Sequence, residues 1–446
     1  MIAFGTGGWR AVIGEEFTRE NVERLSLAVA RRMKAEGADA PGIAIGYDRR
    51  FLSREAARWA AEVMAAQGIR TYFITREAPT PLIMFTVRAR GLAYGMAVTA
   101  SHNPALYNGV KLFTRGGRDA SLEVTEPLGA AASAIGRAEI RAVRYEDAVT
   151  RGLVTEIAPE NRYLDAIIET LDMEKIRGRN LSIVLDPMYG VSRTSLQTIL
   201  LTARCDVDVI HERHDALFGG RLPSPNAETL GALRAAVTER GADIGIATDG
   251  DADRIGIIDD CGRFVHPNEI LVLLYYYLLK YKGLRGPAVR NLATTHLLDR
   301  VAAAFGEKCY EVPVGFKHIS AEMEKRGAII GGESSGGLAV KGHIPGKDGI
   351  QAAALLVEMM AVTGAPLSAL TRRIYAEFGE AYMAEYDWPF LPEERARLEA
   401  LLLKEKALPV FPEKVEGVSY MDGVKVLFSE GWLIVRFSGT EPLLRI

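Results

Sequence analysis

The first strand–helix–strand unit of the chain begins with Ile43-Ala44-Ile45-Gly46-Tyr47-Asp48, an apolar run of the kind that forms a buried strand. The pattern then predicts a helix from Ser53 to Gln67 and, after Gly68, a second strand from Thr71 to Ile74. Units of this spacing build parallel sheets with right-handed crossovers. The unit therefore predicts an α/β domain.

Two later regions repeat this unit, each with a strand, a helix and a second strand. They comprise Leu181–Asp186, a helix through Leu201 and Val207–Ile210, and then Ala288–Leu292, a helix through Phe305 and Cys309–Val312. Three such units imply three similar α/β domains. From about residue 370 the pattern changes to a charged helix, Pro392–Lys406, and to strands separated by Asp-Gly and Glu-Gly turns. This region is predicted to be a smaller α+β domain.

A chain of 446 residues is too long for one core, and its hydrophobic content of 48% allows several. We expect domains at residues 1–150, 151–255, 256–368 and 369–446. The net charge of −3 gives no reason to expect nucleic acid or an anionic membrane as a partner. The three cysteines are far apart and form no CxxC pair, so neither a disulfide framework nor a zinc site is indicated.

The longest apolar run, Ile270–Leu279, is too short to span a bilayer, and we interpret it as part of a core helix. No basic segment followed by an apolar one opens the chain. We therefore expect a soluble cytoplasmic protein. The sequence leaves its oligomeric state open.

The segment Thr99-Ala100-Ser101-His102-Asn103-Pro104 follows a predicted buried strand, Gly95–Val98. We expect Ser101, at the strand end and before Asn-Pro, to be held exposed on rigid backbone. No GxSxG elbow surrounds it, so the hydrolase serine motif does not fit. From these residues alone, a catalytic serine and an ordinary strand-to-turn connection are both open.

Three carboxylates, Asp249, Asp251 and Asp253, alternate in a glycine-bearing turn after another apolar run, Ile244–Ile246. On a tight turn they can converge on one hard cation, which removes the repulsion between them. An EF-hand loop does not fit, because Asp260 stands where that loop needs a glutamate. A solvated acidic turn is the alternative.

A predicted strand near the carboxyl end, Trp432–Phe437, runs into Ser438-Gly439-Thr440-Glu441-Pro442. Arg436, two hydroxyls and glycine backbone are donors of the kind that bind a phosphate. In isolation, a polar turn with one surface arginine explains this segment better.

Together these segments resemble those of the α-D-phosphohexomutases, the family of phosphoglucomutase and phosphomannomutase. Five motifs occur along the whole chain in the family's order. They are the amino-terminal motif Phe4–Arg10, the phosphoserine loop Thr99–Pro104 with its continuation Tyr107–Lys111, the metal loop Asp249–Arg254, the sugar-recognition loop Gly332–Gly337 and the phosphate-binding loop Arg436–Pro442. The resemblance implies four domains around a central cleft.

The resemblance also implies a reaction. A phosphoryl group moves between O1 and O6 of a hexose phosphate, through phosphorylated Ser101 and a hexose 1,6-bisphosphate that serves as intermediate and activator. Asp249, Asp251 and Asp253, with an oxygen of the phosphate on Ser101, are implied to hold Mg²⁺, which neutralises charge on the transferring group. Sugar phosphates are the implied partners.

Further roles follow from the same resemblance. Lys111 and Arg10 are implied at the transferring phosphate, and Lys111 is the expected proton carrier because burial can lower a lysine pKa. His102 is implied to support the serine loop. The residues implied to bind the substrate are Arg254, which also braces the metal loop, Lys317, Glu333, Ser335, Arg436, Ser438, Gly439 and Thr440. Within this set Glu333 and Ser335 are expected to bind O3 and O4, and the last four residues to hold the phosphate that is not reacting.

The chain departs from common family forms at three places. Gly337 stands where many dual-specificity relatives have a histidine, Phe218–Asn226 only approximates the usual Pro-Asn-Pro segment, and Arg445-Ile446 ends the chain inside a predicted strand where relatives continue into a helix. We therefore expect the last domain to be shortened or to lack its last element. The expected activity is phosphoglucomutase with phosphomannomutase side activity. A phosphoglucosamine mutase, a non-catalytic sugar-phosphate binder and a metal phosphatase are the alternatives.

Overall fold

The computed structural model describes residues 2–5, 7–438 and 443–446, whose strands form four sheets. The strands are β1 (Phe4–Gly5), β2 (Gly8–Val12), β3 (Ile43–Tyr47), β4 (Thr71–Ile74), β5 (Tyr94–Val98), β6 (Tyr107–Thr114), β7 (Arg118–Asp119), β8 (Val154–Ile157), β9 (Ser182–Asp186), β10 (Asp206–Val209), β11 (Ile244–Thr248), β12 (Ile255–Ile258), β13 (Phe264–Val265), β14 (Ala288–Asn291), β15 (Cys309–Val312), β16 (Ile330–Gly332), β17 (Leu338–Val340), β18 (Asp387–Pro389), β19 (Gly417–Ser419), β20 (Val424–Leu427), β21 (Trp432–Phe437) and β22 (Leu443–Arg445). The α-helices are α1 (Arg19–Ala35), α2 (Ser53–Ala66), α3 (Thr80–Ala89), α4 (Leu122–Ala134), α5 (Tyr145–Thr150), α6 (Glu160–Ile168), α7 (Met173–Arg177), α8 (Ser192–Thr202), α9 (Gly231–Arg240), α10 (Pro267–Lys280), α11 (Leu297–Ala304), α12 (Phe316–Arg326), α13 (Gly349–Thr363), α14 (Leu367–Phe378) and α15 (Arg395–Glu399).

The first three sheets share one arrangement, in which three parallel strands are followed by an antiparallel one. The three shared parallel strands are β4, β3 and β5 in the first sheet, where β8 adds a fourth beside β4, then β10, β9 and β11 in the second, and β15, β14 and β16 in the third. The antiparallel neighbours are β6, β12 and β17. The predicted fold class, three similar α/β domains with mixed sheets and a smaller carboxyl-terminal domain, is confirmed.

This repeat places three predicted functional segments at equivalent positions. β5 leads through the phosphoserine loop to β6, β11 leads through the metal loop to β12, and β16 leads through the sugar-recognition loop to β17. Each loop therefore follows the carboxyl end of a parallel strand. In α/β sheets this edge is where ligands bind. The repeat supplies three ligand-binding edges from three domains.

The sheets extend past two of the predicted domain boundaries. The first sheet includes β8, beyond residue 150, and the second includes β12 and β13, which extend the sheet to Val265, beyond residue 255. A hydrogen-bonded strand belongs to the domain of its sheet. We therefore propose boundaries after residues 157, 265 and 378, the last being the end of α14.

Two helices are buried on nearly every side. α10, which contains the predicted core segment Ile270–Leu279, is buried from Pro267 to Leu279, and α13 is buried from Gly349 to Ala361. In the described part of the chain, no single helix combines the length and apolar character needed to cross a membrane. The pair of α13 and α14, bent by 81°, meets that test by length and composition alone.

The fourth sheet is antiparallel, in the order β18-β22-β21-β20-β19. The predicted charged helix Pro392–Lys406 is present as helical turns from Pro392 to Lys404, but it is irregular: a 3₁₀ turn, the short α15 and a π-helical turn at Ala400–Lys404 follow one another. None of these residues is buried. Since most helical stability in proteins comes from packing an apolar face, a segment without such a face has little to hold it regular.

Candidate active site

The phosphoserine loop places Ser101 in the interior of the protein. Ser101 is fully buried and has a φ of 53°, in the left-handed region. Its hydroxyl donates to Asp249 Oδ2 at 2.9 Å and lies 3.3 Å from His102 Nδ1. The expectation of an exposed serine is wrong in this structure. The metal loop lies against the strand end, so closely that a Cβ added at Gly250 would be 2.8 Å from the Ser101 carbonyl oxygen.

The three carboxylates of the metal loop converge beside Ser101. Asp249, Asp251 and Asp253 are buried, and each offers an oxygen within 4.8 Å of the others. Asp251 Oδ1 and Asp253 Oδ1 accept no hydrogen bond from any described residue. A buried oxygen without a donor is costly, and hard divalent cations bind such oxygens. The residues therefore fit a divalent-cation site.

The positively charged side chains around the three carboxylates are unevenly distributed, and the pKa values of Asp249 and Asp253 shift in opposite directions as a result. Burial, followed by the charges of Asp251 and Asp253, raises the pKa of Asp249 well above its ordinary value. Burial also acts to raise the pKa of Asp253, but Lys111 and Lys347 outweigh it and hold that pKa well below the ordinary value. For Asp249, the positive charges of Arg254 and Lys111 act to lower the pKa but do not outweigh burial and the two neighbouring carboxylates. A bound cation would add a further positive charge beside it.

Lys111 lies buried between two of these carboxylates. Its ammonium donates to Asp251 Oδ2 at 2.6 Å and to Asp253 Oδ2 at 2.7 Å. Burial favours the neutral amine, but the two carboxylates outweigh it and raise the pKa of Lys111. The pKa shift is opposite in direction to the one expected from burial alone. The sequence could not predict it, because it does not show how many carboxylates a buried lysine contacts.

Arg10 and His102 stand close to the reacting serine. Arg10 extends from β2 and its Nη1 donates to Asn103 Oδ1 at 2.6 Å. Burial, followed by the charge of Arg254, lowers the pKa of Arg10 to about 10, which leaves it charged at neutral pH. The charge of Arg254, followed by burial, lowers the pKa of His102 well below its ordinary value. A neutral imidazole beside Ser101 is compatible with the supporting role predicted for it.

The sugar-recognition loop is organised by Glu333. This carboxylate is buried, and its Oε1 accepts from Asn291 Nδ2 at 3.2 Å and from the backbone N–H of Gly315 at 3.1 Å. Ser335 is exposed and its hydroxyl donates to Glu333 Oε2 at 3.4 Å. The structure therefore brings the two predicted sugar-binding residues together. Their contacts with O3 and O4 stay a prediction.

Arg254 connects the metal loop to the sugar-recognition loop. Its backbone forms a β-bridge with Gly337, and its N–H donates to Asp249 Oδ1 at 3.1 Å. Lys317 stands at the second position of α12, two residues after Gly315. It is half-buried, and burial lowers its pKa. Arg254 thus lies at the aspartates, whereas Lys317 lies near the backbone that holds Glu333.

Arg436 connects the fourth domain to the third. Its Nε donates to Asp422 Oδ2 at 2.9 Å, and the same oxygen accepts the N–H of Val314 at 3.0 Å. Val314 precedes Gly315, which binds Glu333. One hydrogen-bonded path therefore runs from the predicted phosphate-binding arginine to the predicted sugar-binding carboxylate.

The remaining predicted phosphate-binding residues follow β21. Ser438 is buried, and its carbonyl accepts from Arg395 Nη1 at 3.3 Å. Gly439 and Thr440 lie outside the described residues, so their roles stay predictions.

Four family models match the chain in the order of its sheets. Their descriptions are phosphoglucomutase/phosphomannomutase alpha/beta/alpha domain I at residues 1–138, domain II at 161–262, domain III at 266–378 and the C-terminal domain at 396–446. The chain belongs to the phosphoglucomutase/phosphomannomutase family. The resemblance that the motifs indicated is confirmed, and with it the enzyme class, that of mutases among the isomerases.

Similar proteins agree on the family and differ in their named sugar. A phosphoglucomutase/phosphomannomutase of Thermococcus kodakarensis is 30% identical over 99% of this chain and 93% of its own length. A Pyrococcus furiosus protein named as a phosphoglucosamine mutase is also 30% identical, over 99% of this chain and 92% of its own. A crystal structure from Thermus thermophilus, named as a phosphomannomutase, has a TM-score of 0.86 and 32% identity, and the match covers 100% of this chain and 94% of that one.

Two further residues, Lys347 and Thr80, contact the aspartates of the metal loop, and no sequence motif indicated them. Lys347 Nζ lies 2.9 Å from Asp253 Oδ2, and the hydroxyl of Thr80 donates to Asp251 Oδ2 at 2.5 Å. An added Cβ at Gly337 would lie 2.2 Å from Cδ of Lys347, so a side chain at this position would require that lysine to move. A lysine before an Asp-Gly pair and a threonine between two prolines are common local patterns. Only the tertiary structure brings them to the aspartates.

Proposed function

We propose that the protein interconverts hexose 1-phosphates and hexose 6-phosphates through phosphorylated Ser101, with glucose phosphates as the preferred substrates and mannose phosphates as slower ones. The observation that supports this most is the 2.9 Å contact between Ser101 Oγ and Asp249 Oδ2 within a cluster of three buried aspartates. A nucleophilic oxygen beside a divalent-cation site is the arrangement that metal-assisted phosphoryl transfer requires.

The proposed reaction has two transfers. In the first, the P–O bond to Ser101 Oγ breaks as a new P–O bond forms to the free hydroxyl of the bound monophosphate. That hydroxyl releases its proton, and the departing Ser101 Oγ takes one up. The product is a hexose 1,6-bisphosphate. After it has turned round in the cleft, the bond between its other phosphoryl group and the sugar oxygen breaks as a P–O bond to Ser101 Oγ forms again, and the proton of the serine hydroxyl passes to the sugar oxygen. Lys111 and Arg10 are proposed to balance charge on the transferring group, and Arg436 with Ser438, Gly439 and Thr440 to hold the phosphate that is not reacting.

Mg²⁺ is the proposed cation. The chain would hold it with Asp249, Asp251 and Asp253, together with an oxygen of the phosphate on Ser101. When bound, it would neutralise charge on the transferring phosphoryl group. The two carboxylate oxygens that accept no hydrogen bond within the described chain support this assignment.

The choice of sugar rests on which hydroxyls the site binds. Glucose and mannose differ at O2, whereas Glu333 and Ser335 are proposed to bind O3 and O4. Gly337 presents no side chain for O2, and a site without a group dedicated to a hydroxyl discriminates weakly at that hydroxyl. We therefore expect kcat/KM for glucose 1-phosphate and mannose 1-phosphate to differ by roughly 100-fold at most, or under about 3 kcal/mol.

A second candidate is phosphoglucosamine mutase. It is supported by several relatives at 30–31% identity that carry this name. Glucosamine differs from glucose at C2, where it bears a cationic amine, and we propose no carboxylate dedicated to that amine in this cleft. Glucosamine phosphate is therefore placed third.

The test compares glucose 1-phosphate, mannose 1-phosphate and glucosamine 1-phosphate at saturating Mg²⁺, each with its bisphosphate. We expect bisphosphate-stimulated isomerisation of the first two, and a phosphorylated Ser101 peptide in the mass spectrum of the purified enzyme. A preference above a thousandfold for one O2 epimer would contradict weak discrimination at O2. Hydrolysis without isomerisation would indicate a phosphatase, and binding without either reaction a non-catalytic binder.

A further inference from the structure

One buried arginine has no part in the mechanism above. Arg50 lies three residues after β3, and its side chain is fully buried. Its Nη2 donates to the carbonyl oxygens of Ser101 at 2.7 Å and Asn103 at 2.6 Å, and its Nη1 to those of Pro104 at 2.9 Å and Tyr107 at 3.0 Å. A single guanidinium thus binds four carbonyl groups of the phosphoserine loop and its continuation.

The guanidinium of Arg50 also pairs with a carboxylate, although its Nε–H makes no hydrogen bond among the described residues. Its Nε lies 3.4 Å from Asp48 Oδ2. The carboxylate of Asp48 accepts in turn from the hydroxyl of Thr99 at 2.6 Å, and the same hydroxyl accepts the N–H of Ser101 at 2.9 Å. The pair of Asp48 and Arg50 therefore holds the serine loop at its first residue and at its carbonyls.

The second domain covers the other face of this guanidinium. The ring of Phe218 lies 4.8 Å from Arg50 Cζ, a cation–π contact between two buried side chains. Phe218 and Gly219 both have left-handed φ values, of 53° and 64°. Glycine is needed at 219, because an added Cβ would lie 2.6 Å from the ring of Tyr189. The irregular segment that only approximates the family's Pro-Asn-Pro form thus presents an aromatic ring to the serine loop.

The same segment also holds the metal loop. The N–H of Gly250 donates to the carbonyl of Pro223 at 3.2 Å. A Cβ at Gly250 would lie 3.5 Å from the Phe218 ring and 2.8 Å from the carbonyl oxygen of Ser101. The carbonyl that Arg50 binds is therefore the one against which the metal loop packs.

We propose that Arg50 and Phe218 form an interdomain clamp that holds the serine loop against the metal loop and so sets the separation of Ser101 Oγ and Asp249. Both are positioning residues, since they act through Ser101. The left-handed backbone of Ser101 is costly in free energy and persists only where the surrounding residues enforce it. The planar, five-donor fork of arginine is required, because lysine has three donors and no fixed plane. This inference rests on the proposed role of Ser101 as phosphoryl carrier.

The experiment compares Arg50→Lys and Phe218→Leu with Arg49→Lys. Arg49 is a matched control, because it also reaches the second domain, donating to the Glu212 carbonyl at 3.2 Å, but within the described residues it makes no hydrogen bond to the serine loop. We expect Arg50→Lys to lower kcat by about 100-fold, the effect of a misplacement of about 1 Å, with KM within about threefold. Phe218→Leu should lower kcat by about 10-fold, and Arg49→Lys should leave it unchanged.

Hydrogen exchange supplies a readout that does not depend on turnover. Peptides covering residues 99–107 should exchange faster in Arg50→Lys and Phe218→Leu, while peptides from the third domain stay unchanged. Should Arg50→Lys fail to unfold cooperatively, Phe218→Leu carries the test.

Two results would overturn the clamp: wild-type kcat in both variants, or reduced kcat with unchanged exchange at residues 99–107. If the wild-type enzyme carries no phosphoserine and turns over no sugar phosphate, the proposed function fails. In that case the hydrogen exchange of peptides covering residues 99–107 decides by itself whether Arg50 orders the serine loop.

Discussion

The reacting centre and the phosphate-binding domain are built in different ways. Ser101 and the three aspartates are each at most 1% exposed and are held by residues of more than one domain. In the described part of the fourth domain, the buried apolar side chains are limited to Val424, Val426, Ile434 and Leu444. The first region is fixed by packing and charge, whereas the second is a thin sheet with little core.

This difference suits the proposed reaction, in which the intermediate must turn round between two transfers. Fixed charges at the reacting centre need no rearrangement when the phosphoryl group moves. A domain with few buried contacts can open at low cost and close again over the bisphosphate. We propose on this basis that the chemistry and the reorientation are assigned to different domains.

The largest effect is expected from removing the nucleophile. Ser101→Ala should still bind hexose phosphate but lose turnover by several orders of magnitude, because the covalent path no longer exists. Steady-state kinetics and phosphopeptide mass spectrometry measure the loss. Ser195→Ala, a change at a buried serine of α8, is the control and should keep wild-type activity. Near-normal turnover of Ser101→Ala would exclude the phosphoserine mechanism.

The second-largest effect, on Mg²⁺ binding and on kcat, is expected from a change in the metal loop. Asp251→Asn removes one of three negative oxygen donors and should weaken Mg²⁺ binding and lower kcat by about 100-fold or more. Calorimetry with Mg²⁺ and an activity titration measure the two effects. Asp165→Asn makes the same charge change at an exposed residue of α6, outside the site, and should leave both unchanged. Full turnover of the wild-type enzyme in excess chelator would refute the metal requirement.

Thr80 tests whether the first domain supports the metal loop. Thr80→Val removes the hydroxyl that donates to Asp251 Oδ2 at 2.5 Å. Partners of ligating carboxylates typically affect metal affinity by about 10–100-fold, so we expect Mg²⁺ binding to weaken within that range. Thr86→Val is the matched control on the same helix, because the hydroxyl of Thr86 donates only to the Leu82 carbonyl. Equal Mg²⁺ affinity in the two variants would contradict the supporting role.

The same contrast explains what the sequence could predict. Two strands were predictable to the residue, Thr71–Ile74 and Cys309–Val312, because β-branched and aromatic residues mark a strand in the local sequence. Ser101 and the three aspartates could be identified from the sequence because each belongs to a motif of a few consecutive residues. The burial of Ser101 and the raised pKa of Lys111 were not predictable, since both depend on neighbours from another domain. The irregular form of the helical segment 392–404 was not predictable either, because none of its residues is buried in a core that would fix its geometry.

The smallest effect is expected where the fourth domain meets the third. Lys425 of β20 is buried, and its ammonium donates to the Leu292 carbonyl at 2.8 Å and to Glu311 Oε2 at 2.6 Å. Burial acts to raise the pKa of Glu311, but His296 and Lys425, with Arg290, outweigh it and lower that pKa. A carboxylate whose pKa is lower in the folded than in the unfolded state contributes stability above its unfolded pKa of about 4.3. That contribution is lost as the pH falls from there towards the folded pKa.

We therefore expect Glu311→Gln to lower the free energy of unfolding by about 1.5–3 kcal/mol at pH 7 and to make stability less sensitive to pH below about 4.3. Glu322→Gln, which breaks a pair with Arg326 within α12, is the control and should change stability by about 1 kcal/mol or less. Because Glu311 and Lys425 hold the fourth domain in place, the variant should also have a larger radius of gyration without ligand. Bisphosphate should reduce that radius in the wild-type enzyme and in the variant. Solution scattering that is identical with and without bisphosphate would show that the fourth domain does not close, and the division between a fixed centre and a moving domain would then be wrong.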